Sequence, residues 1–115
     1  MKLPQVEHAI VPERKLTEYL LAIDHVAGGS KARFFIQFGF TQQNWRQLAQ
    51  ALKRHAPENE ISAIQWIRQG QLYVVEGPMV TPIGRRPDVR SVWVIRHGEA
   101  VPTLSTAYPL GRRKP

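Results

Sequence analysis

Cationic and hydroxyl side chains are spaced so that two predicted strands would bring them to one surface. Arg90 and Arg96 share one face of the first of these strands, because side chains alternate between the two faces of a strand. Thr106 and Tyr108 share one face of the strand predicted to follow it. If the two faces coincide, guanidinium, hydroxyl and phenol groups converge on one groove.

Such a groove would hold the groups that cleavage of RNA without a metal ion requires. Attack by the 2′-hydroxyl needs a proton acceptor, a proton donor for the leaving 5′-oxygen, and cations beside the pentavalent phosphate. Lys31, on a predicted helix, can close the groove from a second side. We therefore predict Lys31, Arg90, Thr106 and Tyr108 as catalytic residues.

The charge balance favours a polyanionic partner. Sixteen Lys and Arg residues against nine Asp and Glu residues give a net charge of +7, and the stretch from Gly84 onward holds seven basic residues and two acidic ones. The planar guanidinium group of Arg suits phosphate oxygens. We predict Arg33, Arg85, Arg86 and Arg96 as nucleic-acid-binding residues and favour RNA over DNA; the alternative partner is an acidic protein.

The same residues also have a structural interpretation. Arg90 and Arg96 can lay their aliphatic stems along the rim of a sheet and keep their charges in water. Tyr108 can pack in the core with its hydroxyl hydrogen-bonded. Both interpretations stay open at the level of the sequence.

Several other classes of site have no support in the sequence. There is no Cys, which excludes disulfides and thiolate chemistry, and the four His residues (8, 25, 55 and 97) lack the spacing of metal ligands, so we expect no metal and no cofactor. No run of about 18 apolar residues and no signal-peptide pattern occurs, so we expect a cytoplasmic protein without membrane contact. Nothing in the sequence indicates an oligomeric state.

The sheet that must position these groups is predicted around the run DVRSVWVIR, residues 88–96. Val92, Trp93 and Val94 make this run apolar on both faces, as is typical of an interior strand. Short β-prone runs at 61–67, 71–76 and 103–108 are separated by turn-forming residues. This pattern predicts a four-stranded antiparallel β-meander.

Before residue 58 the apolar residues recur at helical spacing, which predicts two to three helices. These helices are expected at 12–22, 31–38 and 42–55, with Phe35, Trp45, Leu48 and Leu52 among the buried residues. Lys53, Arg54 and His55 are interpreted as cations that compensate the dipole at the end of the third helix, and Pro57 as its stop.

Together these elements predict an α+β fold, with two to three N-terminal helices packed on the four-stranded antiparallel β-meander. We expect a single domain over residues 1–109. Residues 110–115, LGRRKP, are expected to form a flexible basic tail because they add little apolar area.

The sequence resembles a family of small bacterial domains of unknown function in motifs that span most of the chain. The motifs are KARFF (31–35), GF (39–40) followed by Trp45, YVVEGP (73–78), PIGR (82–85), VRSVW (89–93) and TAYP (106–109). This resemblance implies a bacterial protein and assigns no reaction.

The predicted architecture is also similar to a superfamily of small ribonucleases that includes barnase, EndoU, the RNase colicins and the RelE toxins. That resemblance implies catalytic Lys, Arg, His, Thr or Tyr residues on the helix packed against the sheet and on the sheet itself. The positions that match are Lys31, Arg33, Arg90, Thr106 and Tyr108, and no pair of His residues suits a barnase or EndoU type of mechanism. We therefore favour a toxin-type, metal-independent ribonuclease. The alternative is a non-catalytic nucleic-acid-binding or protein-interaction module, for example the partner of a toxin–antitoxin-like pair.

Overall fold

A four-stranded antiparallel sheet in the order β1-β2-β3-β4 forms one layer of the protein in the computed structural model. The structure describes residues 1–25 and 29–110. The strands are β1 (Ile61–Ile67), β2 (Gly70–Pro78), β3 (Asp88–Arg96) and β4 (Thr103–Pro109). Each strand pairs with the next along the chain, so the predicted meander is confirmed. Apart from Leu110, the predicted basic tail lies outside the described residues.

Three helices pack against one face of this sheet, which confirms the predicted α+β fold. α1 consists of the α-helical residues Glu13–Lys15 and a π-helical turn, Leu16–Leu20; α2 spans Gly29–Gln37 and α3 spans Trp45–Glu58. A 3₁₀ turn, Val6–His8, precedes them. No helix among the described residues has the length and apolar content needed to span a membrane.

One apolar core lies between the helices and the sheet. Its fully buried side chains come from the three helices, from β2, β3 and β4, and from the loop after α2; they include Leu16, Leu20, Phe35, Phe40, Leu48, Leu52, Val75, Trp93 and Leu104. Among the predicted core residues, Trp45 is only half-buried. Val92 and Val94 are buried as predicted, but they alternate with Trp93 and therefore lie on the other face of the sheet.

The π-helical turn makes α1 shorter than the predicted helix over 12–22. The Leu21 N–H donates to the Leu16 carbonyl oxygen at 2.7 Å, which inserts one extra residue into the turn. The insertion changes the direction of the side chains that follow. Leu21 is consequently buried, whereas Ile23, which continues the helical spacing of Leu16 and Leu20, is 49% exposed.

The start of α3 also differs from the prediction. The helix begins at Trp45 and not at residue 42. The Thr41 hydroxyl accepts a hydrogen bond from the Asn44 N–H at 3.1 Å, so Thr41 stabilises the turn that precedes the helix.

At its other end α3 passes through Pro57 and ends at Glu58, so the interpretation of Pro57 as a stop is wrong. The Asn59 side chain donates from Nδ2 to the His55 carbonyl oxygen at 2.9 Å and so satisfies a carbonyl near the helix end. A Cβ atom on Gly77 would lie 1.9 Å from Asn59 Oδ1. Only glycine therefore allows β2 to approach this helix end so closely.

A chain of buried hydrogen bonds ties α3 to the sheet. The Trp93 indole N–H donates to Ser91 Oγ at 2.9 Å, and Ser91 Oγ lies 2.9 Å from His55 Nδ1. His55 Nε2 lies 3.0 Å from the Gly77 carbonyl oxygen, which can only accept. The proton is therefore on Nε2, and the Ser91 hydroxyl donates to Nδ1 of a neutral imidazole.

His55 is thus a core residue, and its interpretation as a cation that compensates the helix dipole is wrong. Its side chain is 1% exposed. Burial lowers the pKa of His55, although hydrogen bonds to the backbone of Gly77 and Val89 and the charges of Glu58 and Asp88 act in the opposite direction.

The buried neutral His55 predicts that stability falls in mild acid. Because its folded-state pKa lies below the unfolded value of about 6.5, the unfolded chain binds more protons as the pH falls below that value. The free energy of unfolding should then fall with a slope that approaches about 1.4 kcal/mol per pH unit from this group. Urea unfolding at a series of pH values measures it, with His55→Gln as the comparison. Equal slopes in both proteins would contradict a neutral His55.

Candidate active site

Three polar side chains lie in a row across the sheet, on the face that points away from the helices. The register places Glu76 of β2, Arg90 of β3 and Tyr108 of β4 directly opposite one another. Arg90 Nε donates to Glu76 Oε2 at 2.5 Å, and Arg90 Nη1 donates to the Tyr108 hydroxyl oxygen at 3.1 Å. The row therefore holds the guanidinium group from both sides.

Arg90 remains a cation in this arrangement. The hydrogen bond to Tyr108 and then that to Glu76 raise the pKa of Arg90 above its ordinary value, and partial burial acts weakly against them. Its side chain keeps 35% of its surface exposed, so part of the guanidinium group can meet a ligand.

A second polar cluster lies at the β4 side of the row. Lys31 of α2 and Tyr19 of the π-helical turn both reach Thr106 of β4. Lys31 Nζ donates to the Tyr19 hydroxyl and lies 3.4 Å from Thr106 Oγ1, while the Tyr19 and Thr106 oxygens are 3.2 Å apart. Two helices and one strand are thus needed to assemble three side chains.

Tyr108 connects the two clusters. The Lys31 Nζ lies 5.6 Å from the centre of the Tyr108 ring, and Arg90 Cζ lies 5.5 Å from it. Cations within about 6 Å of an aromatic face are attracted by the ring. Two positive charges therefore flank one phenol, at a site that can attract an anion.

The pKa of the Tyr19 phenol is shifted by its neighbours. Burial raises its pKa, but the hydrogen bonds from Lys31 and Thr106 and the charges of Lys31 and Lys15 outweigh burial, so that the pKa lies below its ordinary value. The Tyr19 phenolate therefore forms at a lower pH than that of a free tyrosine.

Two grooves meet at Arg90 and Glu76, which line both. The larger, with a volume of about 950 Å³, also contains Phe34, Phe38, Asp88, Pro109, Leu110 and the loop residues 85–87. The smaller, of about 480 Å³, runs over the open face of the sheet past Tyr108 and apolar residues of β2 and β3. A chain-like ligand could cross the sheet at Arg90.

The structure brings all four predicted catalytic residues together: Lys31, Arg90, Thr106 and Tyr108 form the two linked clusters. Tyr108 is half-buried and lies outside the core cluster. Tyr108 therefore packs at the edge of the core, and its catalytic role stays a prediction.

The predicted nucleic-acid-binding residues are divided. Arg85 and Arg86 line the larger groove. Arg33 is exposed on α2, and Arg96 is exposed at the far end of β3, about 20 Å along the strand from Arg90. Within the described part of the chain, neither Arg33 nor Arg96 lines either groove.

Sequence reasoning missed Tyr19 and Glu76. Tyr19 fits the apolar stripe of a regular helix, and only the π-helical turn directs it to Lys31. Glu76 is the last residue of a predicted strand, and it contributes to the site because it faces Arg90 and accepts its hydrogen bond. The signal that could have found Glu76 is the opposite charge expected between paired positions of neighbouring strands, once the register is known.

Comparison with known proteins places the chain among related sequences and folds. A family described as "Domain of unknown function (DUF6883)" matches residues 2–111. No curated protein matches the sequence. A solved structure described as "Contact-dependent growth inhibition toxin - immunity protein complex from Klebsiella pneumoniae 342" contains a chain with a TM-score of 0.71 and 13% identity, covering 93% of this chain and 97% of that one. At this identity the likeness is one of fold.

The cluster around Lys31 predicts a shift in the titration of Tyr19. In Lys31→Met the hydrogen bond and the charge that lower the pKa are lost while burial remains, so the pKa of Tyr19 should rise. Ultraviolet difference spectra during alkaline titration report the phenolate, and Tyr19→Phe identifies its signal. Lys53→Met, an exposed lysine on α3, is the matched control and should leave the titration unchanged. The same curve for Lys31→Met and wild type would disprove the contact.

Proposed function

The chain belongs to the DUF6883 family of domains of unknown function, as its motifs predicted, and we propose that it is a toxin-type ribonuclease that cleaves RNA without a metal ion. The observation that carries this proposal is the placement of Lys31 and Arg90 on either side of Tyr108, beside an open groove. Cations beside the phosphate and a proton donor are two of the requirements for attack by the 2′-oxygen, and the neighbouring Tyr19 is the candidate for the third, a proton acceptor.

The cations act on the phosphate. As the 2′-oxygen attacks, negative charge accumulates on the non-bridging oxygens of the pentavalent phosphate, and a cation held in place stabilises that charge without reorganising. Arg90 is fixed by Glu76 and Tyr108, and Lys31 is fixed by Tyr19 and Thr106. Glu76 and Thr106 accordingly serve as positioning residues.

The phenols transfer the protons. Tyr108 accepts a hydrogen bond from Arg90, which leaves its own O–H free to donate to the leaving 5′-oxygen. Tyr19, starting as the phenolate that the contact with Lys31 favours, accepts the proton of the 2′-hydroxyl and becomes a neutral phenol. The P–O5′ bond breaks as the P–O2′ bond forms, and the products are a 2′,3′-cyclic phosphate and a 5′-hydroxyl.

The proposed reaction uses only side chains of the site. Among residues 1–25 and 29–110, no group of three His, Asp or Glu side chains lies close enough together to hold a metal ion. The two acidic residues of the larger groove are Glu76 and Asp88, and Glu76 is already paired with Arg90.

The fold likeness fits a toxin or an immunity protein, because the matched chain belongs to a complex of the two. The chain described as part of a toxin–immunity protein complex shares this fold over almost its whole length. The predicted architectural similarity to small ribonucleases points the same way. Fold likeness is an analogy, and the site residues must carry the reaction.

A second candidate is a non-catalytic module that binds nucleic acid or an acidic protein. The observation that favours it is that Arg90 is already paired with Glu76 and Tyr108, so the row is satisfied without a ligand. This candidate predicts tight, salt-sensitive binding with no turnover.

Substitutions of Arg90 and Tyr108 are expected to slow RNA cleavage and to leave the protein folded. Arg90→Ala should lower the rate of RNA cleavage roughly 100-fold or more, because it removes charge stabilisation in the transition state. Tyr108→Phe keeps the ring and removes the proton donor, so it should also slow cleavage. The assay uses purified protein and a structured RNA in EDTA, with circular dichroism as the check on folding.

The matched control is Arg68→Ala, an exposed arginine in the turn between β1 and β2, which should leave the rate unchanged. No cleavage by the wild-type protein, or cleavage that both substitutions leave intact, would overturn the ribonuclease proposal in favour of binding. Unfolding of Arg90→Ala would show that this residue is structural.

A further inference from the structure

The larger groove has an aromatic wall next to Arg90. Phe34 and Phe38 lie one turn apart at the end of α2, with ring centres 5.0 Å apart, and both rings are half-buried. Phe34 packs against the core, whereas Phe38 is not among the partly buried residues that do. The position of Phe38 in the groove is therefore not explained by the packing of the described core.

The opposite lining of this groove is basic. Arg85 and Arg86 lie in the loop between β2 and β3, and both are exposed. Within residues 1–25 and 29–110 neither has a carboxylate partner. Of the two acids in the groove, Glu76 is neutralised by Arg90, which leaves Asp88 against two unpaired guanidinium groups.

Aromatic rings beside unpaired arginines suit single-stranded nucleic acid. Each base offers a π face that stacks on an aromatic side chain, and the adjacent phosphates take up the basic groups. In an RNA duplex the bases are paired and stacked on one another, so their faces are not available. This combination of side chains therefore favours single-stranded RNA over duplex RNA and does not select a base sequence.

We propose that Phe38 and Phe34 form a stacking site for one unpaired nucleobase next to the phosphate held at Arg90, and that Arg85 and Arg86 bind the flanking phosphates. The substrate class is then single-stranded RNA, including the loops of folded RNA. This inference rests on the proposed ribonuclease function and deepens it.

The groove volume of about 950 Å³ accommodates a nucleotide and its neighbours, and the groove is continuous with the row at Arg90. The smaller groove, on the open face of the sheet, has by contrast no aromatic residue other than Tyr108 and no cation other than Arg90 among the described residues that line it. The larger groove is therefore the one that combines stacking with charge.

The test measures binding separately from cleavage. The full-length protein is titrated with a 2′-O-methyl RNA oligonucleotide, which lacks the attacking hydroxyl, in single-stranded form and as a duplex. Phe38→Ala and Phe38→Leu should weaken single-strand binding roughly tenfold, and Phe38→Trp should retain it, because only the ring stacks. The wild-type protein should bind the duplex more weakly than the single strand at the same salt concentration.

Trp66→Ala is the matched control. Trp66 is 77% exposed on β1 and lines neither groove in the described part of the chain, so its removal should not change binding. The double variant Arg85→Gln, Arg86→Gln tests the phosphate contacts from a loop outside the core. The slope of log affinity against log salt concentration should fall by the equivalent of about one to two released counterions.

The outcomes separate this inference from the ribonuclease proposal. Equal binding of single strand and duplex, or an unchanged affinity in both Phe38→Leu and the double arginine variant, overturns the stacking site even if the protein cleaves RNA. Loss of single-strand binding in those variants without any cleavage by the wild-type protein leaves the stacking site standing and removes the ribonuclease. If Phe38→Ala unfolds, the binding of Phe38→Leu, Phe38→Trp and the double arginine variant tests the stacking site in its place.

Discussion

The register between β3 and its two neighbours is the constraint on which both the core and the candidate site depend. Because side chains alternate, the register that buries Ser91 and Trp93 against the helices directs Arg90 to the opposite face. The same pairing places Glu76 and Tyr108 on either side of Arg90. A shift of one residue would exchange the two faces. Packing of the core therefore enforces the geometry of the site.

The positions of the helices determine the second half of the candidate site. Lys31 reaches Tyr108 only because α2 and the π-helical turn pack beside β4, where Tyr19 and Thr106 hold the lysine. Lys31 is thus tied to a phenol and a hydroxyl that keep it in place without neutralising its charge, whereas Arg90 is held by the Tyr108 phenol and by the Glu76 carboxylate. Side chains held in this way need little movement when a ligand binds.

A buried polar network fixes the third helix against the same sheet. His55, Ser91 and Trp93 satisfy one another, and Gly77 accepts the last hydrogen bond. A satisfied network of this kind specifies one packing arrangement, because any other leaves a buried donor or acceptor unpaired. Gly77 and Glu76 are neighbours in β2, so the network that secures α3 also secures the strand that carries the partner of Arg90.

Local pattern determined the elements, and only the tertiary structure decided their relations. The alternation and apolar centre of β3 predicted Asp88–Arg96 with its observed bounds, because strand periodicity is a property of neighbouring residues. The sequence predicted that Lys31 and Tyr108 lie close together if the polar faces of the two strands coincide. The roles of Tyr19, Glu76 and His55 could not be predicted, because a π-helical turn, a strand register and a buried hydrogen-bond network depend on residues distant in sequence. Those contacts exist only once the core has formed.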